Sequence, residues 1–213
     1  MNQKTCHIFG AGEYYNQLPQ LRQDDFIIAA DGGYSYLASH GIAADIIIGD
    51  FDSIGTPPSG ENVMFLPKEK DDTDMLAAIK AGISQGFDIF YIYGGTGGRI
   101  DHTLANIQCI AWLARQSCRG YLVGDGVVMT AIHNSTITFP ASAEGMISIF
   151  SHNNIAEGVS VNGLKYCLSD TTLSNTFPIG ISNEFVGVES RIKVTNGTLI
   201  VTYNEGNQYE KST

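Results

Sequence analysis

The chain of 213 residues is 43% hydrophobic and only 16% charged, which supplies one large core or two small ones and excludes a disordered chain. Its 12 lysines and arginines stand against 22 acids, a formal net charge of -10, so it lacks the basic face of a nucleic-acid binder. No apolar run approaches the ~20 residues that cross a membrane, and no membrane partner is expected.

Met1-Asn2-Gln3-Lys4-Thr5 leads directly into a strand candidate at 6–9, with no secretory apolar region before it. Cys6, Cys109, Cys118 and Cys167 show no C-x-x-C spacing and are expected to be free thiols. Both readings point to the cytoplasm. Further strand candidates follow at 26–30, 46–48, 63–66, 89–93 and 121–123. Most are short continuous apolar runs, the pattern of strands buried in a parallel sheet. The clearest helix covers 73–85, with Met75, Leu76, Ile79 and Ile83 on one face. Asp72 or Thr73 would cap it and Gly86 would stop it. A second helix covers 103–116, with Leu104, Ile107, Ile110, Ala111 and Ala114 as its buried stripe. The alternation predicts an α/β domain over 1–126, with an open, mainly parallel sheet and helices on both faces.

From residue 127 the helical pattern stops. Strand candidates at 127–132, 136–139, 146–150, 158–161, 184–187, 191–195 and 198–203 predict a small antiparallel sandwich or barrel over 127–213. Asn196-Gly197, between the last two, signals a type I′ hairpin.

Four clusters in the first domain carry the chemistry. They are Asp31-Gly32-Gly33, Gly49-Asp50-Phe51-Asp52-Ser53, Lys70-Asp71-Asp72-Thr73-Asp74, and Gly94-Gly95-Thr96-Gly97-Gly98-Arg99-Ile100-Asp101-His102. In an open α/β sheet, ligands bind beyond the carboxyl ends of the strands. The first, second and fourth clusters follow strands, and the third precedes a helix N-terminus, where anions are favoured. Carboxylates brought together repel one another, so a cation is expected among them. In an extended segment Asp50 and Asp52 would share a face, with Phe51 pointing away. Alone, each cluster reads as an Asx-rich or glycine turn. Their convergence favours a magnesium–phosphate site. Arg99 after a glycine turn suits bidentate phosphate contact, with Asp101 as its partner or as a metal ligand. Lys68 and Lys70 are the nearest other cations.

The last three of these blocks, in this order and spacing, resemble the signatures of thiamine pyrophosphokinases. Gly163-Leu164-Lys165-Tyr166 and Gly180-Ile181-Ser182-Asn183-Glu184 resemble that family's substrate-binding blocks. The resemblance implies a catalytic α/β domain and a C-terminal β-sandwich in a homodimer, with the thiamine site at the subunit interface. It implies Mg2+-dependent transfer of pyrophosphate from ATP to the thiamine hydroxyl, releasing AMP. It places metal at Asp50, Asp52, Asp71 and Asp74, and catalysis at Asp50, Asp52, Asp74, Arg99 and Asp101. It places nucleotide contacts at Asp31, Gly32, Gly33, Lys70, Thr73, Gly97, Gly98 and His102, and thiamine contacts at Tyr166, Ser182 and Asn183. Cys167 departs from the proline that bacterial members often carry after the aromatic residue. Either Asp74 or Asp101 could accept the hydroxyl proton. Two rival readings are a metal-dependent phosphohydrolase, with His102 as a ligand, and a non-enzymatic nucleotide-sensing module.

Overall fold

The computed structural model describes residues 4–15, 18–51, 59–67, 69, 71–207 and 210–212. The chain divides into two compact units, Met1–Cys109 with Cys118–Asp125, and Ile110–Ser117 with Gly126–Thr213.

The first unit is built on β1 (Thr5–Phe9), β2 (Phe26–Ala30), β3 (Ile46–Gly49), β4 (Val63–Phe65), β5 (Ile89–Tyr93) and β6 (Arg119–Val123). They lie in the order β6-β5-β1-β2-β3-β4, and every neighbouring pair is parallel. The central strands read as continuous apolar runs because both faces are covered. Ile8, Phe9, Ile28, Ala29, Phe90 and Ile92 are fully buried.

The helices are α1 (Gly33–Ser39), α2 (Asp74–Ser84) and α3 (Ile100–Arg115). Side chains alternate along a strand, so Cys6 and Phe9 of β1 face opposite ways. Leu37 of α1 packs in the cluster of Phe9, Ala29, Ile47 and Phe51. Gly82 of α2 lies against Cys6 and Phe90, so close that a Cβ would sit 2.6 Å from the Phe90 ring. The two helices therefore cover opposite faces of the sheet.

Helix α1 was not expected from the sequence. It has only seven residues, opens on a glycine, and buries just Gly33 and Leu37. Helix α2 matches its predicted position, and Thr73 caps it by accepting the Leu76 N–H at 3.1 Å. Helix α3 starts at Ile100 rather than at residue 103, which places Asp101 in its first turn. Of its predicted stripe Ile110, Ala111 and Ala114 are buried, but Leu104 is 57% exposed, and Asn106, Cys109 and Leu113 are buried as well. Asn106 is a polar member of that stripe because its amide donates to the Gly95 carbonyl at 2.7 Å. Hydrophobic periodicity alone could not find it. Among the described residues no helix is long and apolar enough to cross a membrane.

The second unit contains β7 (Val127–His133), β8 (Thr136–Phe139), β9 (Met146–Ser151), β10 (Ile155–Asn162), β11 (Leu168–Ser174), β12 (Asn183–Glu184), β13 (Ser190–Lys193), β14 (Thr198–Asn204) and β15 (Glu210–Ser212). Two antiparallel sheets result, β12-β9-β14-β7 and β11-β10-β13-β8-β15. Burial alternates along β8, β9 and β13, as one-sided sheets require. Phe139 of β8 meets Tyr203 of β14 edge-on at 5.1 Å, which locks one sheet against the other as a β-sandwich.

Asn196-Gly197 does not make the predicted hairpin. Strand β13 pairs with β10 and β8, whereas β14 pairs with β7 and β9, so the dipeptide crosses between sheets. Asn134 Oδ1 accepts the Gly197 N–H at 2.8 Å, and the Asn196 amide donates to Glu157 at 2.8 Å. Tertiary partners thus override a strong local turn signal. Strand β11 was also missed, because Leu168-Ser169-Asp170-Thr171-Thr172-Leu173-Ser174 is polar and buries only Leu173.

Candidate active site

Register aligns the strand ends. Ile8 pairs with Ile28 and Ile92, and Ile28 pairs with Ile46. The residues that follow β1, β2, β3 and β5 therefore share one edge, and these are Gly10, Asp31, Asp50 and Gly94. The Asp31 N–H donates to Ile48 O at 2.7 Å, tying the β2 and β3 ends together. Asp31 has φ 48, a left-handed conformation that aspartate tolerates better than most residues. Gly33 is needed for packing: a Cβ there would lie 1.9 Å from Phe9 O.

The segment after β3 is not extended, contrary to expectation. Phe51 has φ 54, unusual for an aromatic residue, yet it is 2% exposed. Its ring meets Phe65 edge-on at 5.3 Å and joins the Phe9–Leu37 cluster. Burying that ring offsets the backbone cost and turns the chain at Asp50. Asp52, Lys68 and Lys70 lie outside the described residues.

Helix α2 brings the third block to the same edge. The Met75 Cε lies so near Gly10 that a Cβ there would be 2.8 Å away. Asp74 occupies the first turn of α2, where the helix dipole favours a carboxylate. Thr73 is engaged as the cap. Asp72 pairs with Lys80 at 2.6 Å, and Asp71 is exposed. Among the described residues no group of three His, Cys, Asp or Glu forms a metal cage. Among the described residues, Asp31, Asp50 and Asp74 offer carboxylate oxygens at this edge. Such a set fits magnesium, which takes one or two carboxylates and fills its remaining positions with water and phosphate oxygen.

The glycine turn lies at the end of β5. Gly94, Gly97 and Gly98 have φ of 59, 77 and 57, so each adopts a left-handed conformation. Arg99 grips Asp101 with two prongs, Nε to Oδ1 at 3.2 Å and Nη2 to Oδ2 at 2.6 Å. Both side chains are exposed. The pairing raises the Arg99 pKa and lowers that of Asp101. His102 is exposed in the first turn of α3.

In the second unit the two remaining blocks meet. Asn183 Oδ1 accepts the Tyr166 N–H at 2.9 Å, and Asn183 Nδ2 donates to Tyr166 O at 2.7 Å. Lys165 pairs with Glu184 at 2.8 Å, and its ammonium lies 5.7 Å from the Tyr166 ring centre. Tyr166 is 61% exposed, so it is not the core aromatic that a purely structural role would make it. Ser182 is left-handed at φ 58, and its N–H donates to Ser148. Cys167, at the position where proline is often found, donates its thiol to Leu164 O at 3.4 Å. A cavity of ≈ 80 Å³ lies here, lined by Ile147, Leu164, Tyr166, Ile181 and Asn183 among others. Whole small-molecule pockets run to ~300–1,000 Å³, so this one fits only part of a ligand.

The comparisons with known proteins bear on both units. The model of the thiamin pyrophosphokinase catalytic domain matches residues 19–122. That of the thiamin pyrophosphokinase vitamin B1 binding domain matches residues 134–199. The chain belongs to the thiamin pyrophosphokinase family. It is an enzyme of that family. The thiamine pyrophosphokinase of Bacillus subtilis (strain 168) is 26% identical over 93% of this chain and 97% of its own. The fold is also shared with solved structures. A Bacillus subtilis thiamine pyrophosphokinase superimposes with a TM-score of 0.82 at 23% identity, over 94% of this chain and 99% of its own. A Geobacillus thermodenitrificans thiamin pyrophosphokinase gives a TM-score of 0.81 at 24% identity, over 94% and 97%.

Against this family background, two features escaped the sequence reading. One is Asn106, which supports the glycine turn from α3. The other is the loop after β1, Gly10-Ala11-Gly12-Glu13-Tyr14-Tyr15. The signal for it was present, since two glycines follow a strand at the same edge. It carries a single acid and no cluster, so it did not stand out.

Proposed function

We propose that the chain transfers pyrophosphate from ATP to the thiamine hydroxyl, giving thiamine diphosphate and AMP in the cytoplasm. The observation that carries this reading is the convergence of Asp31, Asp50, Asp74 and the Gly94–Arg99 turn on one strand edge, within the region matching the family's catalytic domain. The four free cysteines fit a reducing compartment.

Asp50, Asp52, Asp71 and Asp74 would hold magnesium, which would supply positive charge to neutralise the phosphates. Arg99 would take a phosphate with the fork that now grips Asp101. Gly97 and Gly98 would admit phosphate close to the backbone, with Lys70 adding charge. Asp31, Gly32, Gly33, Thr73 and His102 would contact the nucleotide. Pyrophosphoryl transfer depends mainly on positioning and charge neutralisation. Whichever of Asp74 and Asp101 stays off the metal would accept the hydroxyl proton, and Asp101 is freed for this when Arg99 turns to the phosphate.

Tyr166, Ser182 and Asn183 would contact thiamine, and the site would be completed by the second subunit of a homodimer. Mixing Asp52→Asn and Asn183→Ala subunits tests that arrangement. Both lesions then fall in one site and leave the other intact, so activity should partly recover after subunit exchange.

The deciding assay is AMP release from ATP and magnesium with and without thiamine. Release only with thiamine supports the proposal. Hydrolysis without thiamine would favour a phosphohydrolase, and ATP binding without turnover a sensing module.

A further inference from the structure

The loop at residues 10–15 has no role in the reading above, yet its contacts concentrate on the glycine turn. Gly10 N donates to Tyr93 O at 2.8 Å, Gly12 N to Gly94 O at 2.7 Å, and Glu13 N to Thr96 O at 2.9 Å. The loop thus runs along the turn as a strand runs along its neighbour. The approach leaves no room for side chains. A Cβ on Gly12 would lie 2.5 Å from Thr96 O, and one on Gly97 would lie 2.3 Å from the Tyr15 hydroxyl.

The loop is itself anchored. The Tyr14 hydroxyl donates to Gly10 O at 2.6 Å, and its ring stacks on Tyr36 and Phe9. From this base the Glu13 carboxylate accepts the Gly98 N–H at 3.1 Å. The Tyr15 hydroxyl stands beside it, its pKa raised first by a hydrogen bond to Glu13. Gly98 has open space around it, since a Cβ there would meet nothing within 4 Å. Packing therefore holds Gly97 but not Gly98. Two consecutive glycines also have the widest backbone freedom of any pair. The Glu13 bond falls one residue before Arg99, where it limits the directions that Arg99 can take.

We propose that Glu13 is a positioning residue: it fixes the 97–99 turn so that Gly98 and Arg99 present their donors to the phosphates of ATP. This rests on the function proposed above. Electrostatics alone would have the opposite sign, because a carboxylate beside a bound polyphosphate repels it. The sign of the effect therefore separates positioning from mere proximity.

The test compares Glu13→Ala with Glu13→Gln, whose amide oxygen can still accept the Gly98 N–H. Three quantities are read: KM for ATP against kcat and thiamine KM, Mg-ATP affinity by calorimetry, and amide exchange at Gly98. Glu13→Ala should raise KM for ATP and weaken Mg-ATP binding by about three- to tenfold, the loss of one solvent-exposed hydrogen bond of ordinary strength. Gly98 exchange should speed up, while thiamine KM and the melting temperature stay put. Glu13→Gln should recover most of the loss. Unchanged or tighter ATP binding in Glu13→Ala would overturn the proposal, as would a Gln variant as impaired as Ala. Should Glu13→Ala not fold, Glu13→Asp, one methylene too short, replaces it in the contrast with Gln. A wild-type chain that releases no AMP would sink the functional reading alone. The positioning role would still be decided by calorimetry and Gly98 exchange.

Discussion

In the parallel unit, Asp31, Asp50 and Gly94 reach a common edge because strand register carries them there. Backbone hydrogen bonding does the work, and each motif only has to follow its strand. In the antiparallel unit, Tyr166 and Asn183 meet through a reciprocal pair of hydrogen bonds between one amide side chain and one backbone residue. There one side chain clasps the aromatic residue, supported by the short Leu164–Phe185 bridge and the Lys165 N–H that donates to Glu184 O at 3.0 Å. The two units should therefore fail differently. Losses at the parallel edge should remove chemistry and spare the fold, whereas losses in the antiparallel unit should move a recognition surface.

The largest expected effect is at Asp50. Asp50→Asn keeps the shape and removes the charge, and turnover should fall by about 10²–10³-fold, as when a charge-stabilising group is deleted. The melting temperature should stay near wild type, since the buried Phe51 ring anchors the turn. A folded Asp50→Asn chain with normal AMP release would break the contrast.

Arg99→Lys keeps the positive charge and loses the fork. Turnover should drop by about tenfold, roughly one charge-assisted hydrogen bond of ~1.5 kcal/mol. If lysine serves as well as arginine, bidentate phosphate contact is wrong and the Asp101 pairing is only structural.

Asn183→Ala should act on the other substrate. It removes both bonds to the Tyr166 backbone at a partly exposed site, about 1–2 kcal/mol together, so thiamine KM should rise about tenfold with ATP KM unchanged. An equal rise in both constants would show that the two units do not divide the substrates.

The smallest effect concerns pH, and again the units differ. His7 is 6% exposed in the parallel unit, stacked against Tyr91 and Tyr93, with Nε2 3.2 Å from Asp25. Burial lowers its pKa, and the opposing pull of Asp25 does not cancel this. The half-buried His152 of the antiparallel unit is lowered by burial and by Arg115. For a base with a depressed folded pKa, the unfolded chain takes up the proton first. Stability is therefore full above about pH 6.5 and falls as pH drops toward the folded value, at no more than about 1.4 kcal/mol per unit for each histidine. Urea midpoints at pH 7 and pH 5.5 measure the fall. His7→Gln should flatten it more than His152→Gln, because His7 is the more buried.

Much of the parallel unit could be read from residue order. Continuous apolar runs at 26–30 and 89–93, the Thr73 cap and the strand-end clusters each encode a local preference that the fold keeps. The start of α3 could not be read, because the glycines and Arg99 ahead of it mask a helix that begins at Ile100. Nor could the exposure of Leu104, since a buried Asn106 displaces the apolar stripe. In the antiparallel unit the existence of strands was legible from alternation, but their partners were not. Asn196-Gly197 has the local chemistry of a hairpin and serves as a crossing between sheets.

The sequence by itself determined the fold class, the strand-end position of the acidic and glycine motifs, and the family. These depend on periodicity, turn chemistry and the order of short blocks, all carried by neighbours along the chain. Only the tertiary structure decided what touches what. It seated the Glu13 carboxylate on the Gly98 N–H across 85 positions, and clasped Tyr166 with Asn183 across 17. Contacts over such separations follow from sheet order and register, which emerge when distant segments pack, and no local preference specifies them.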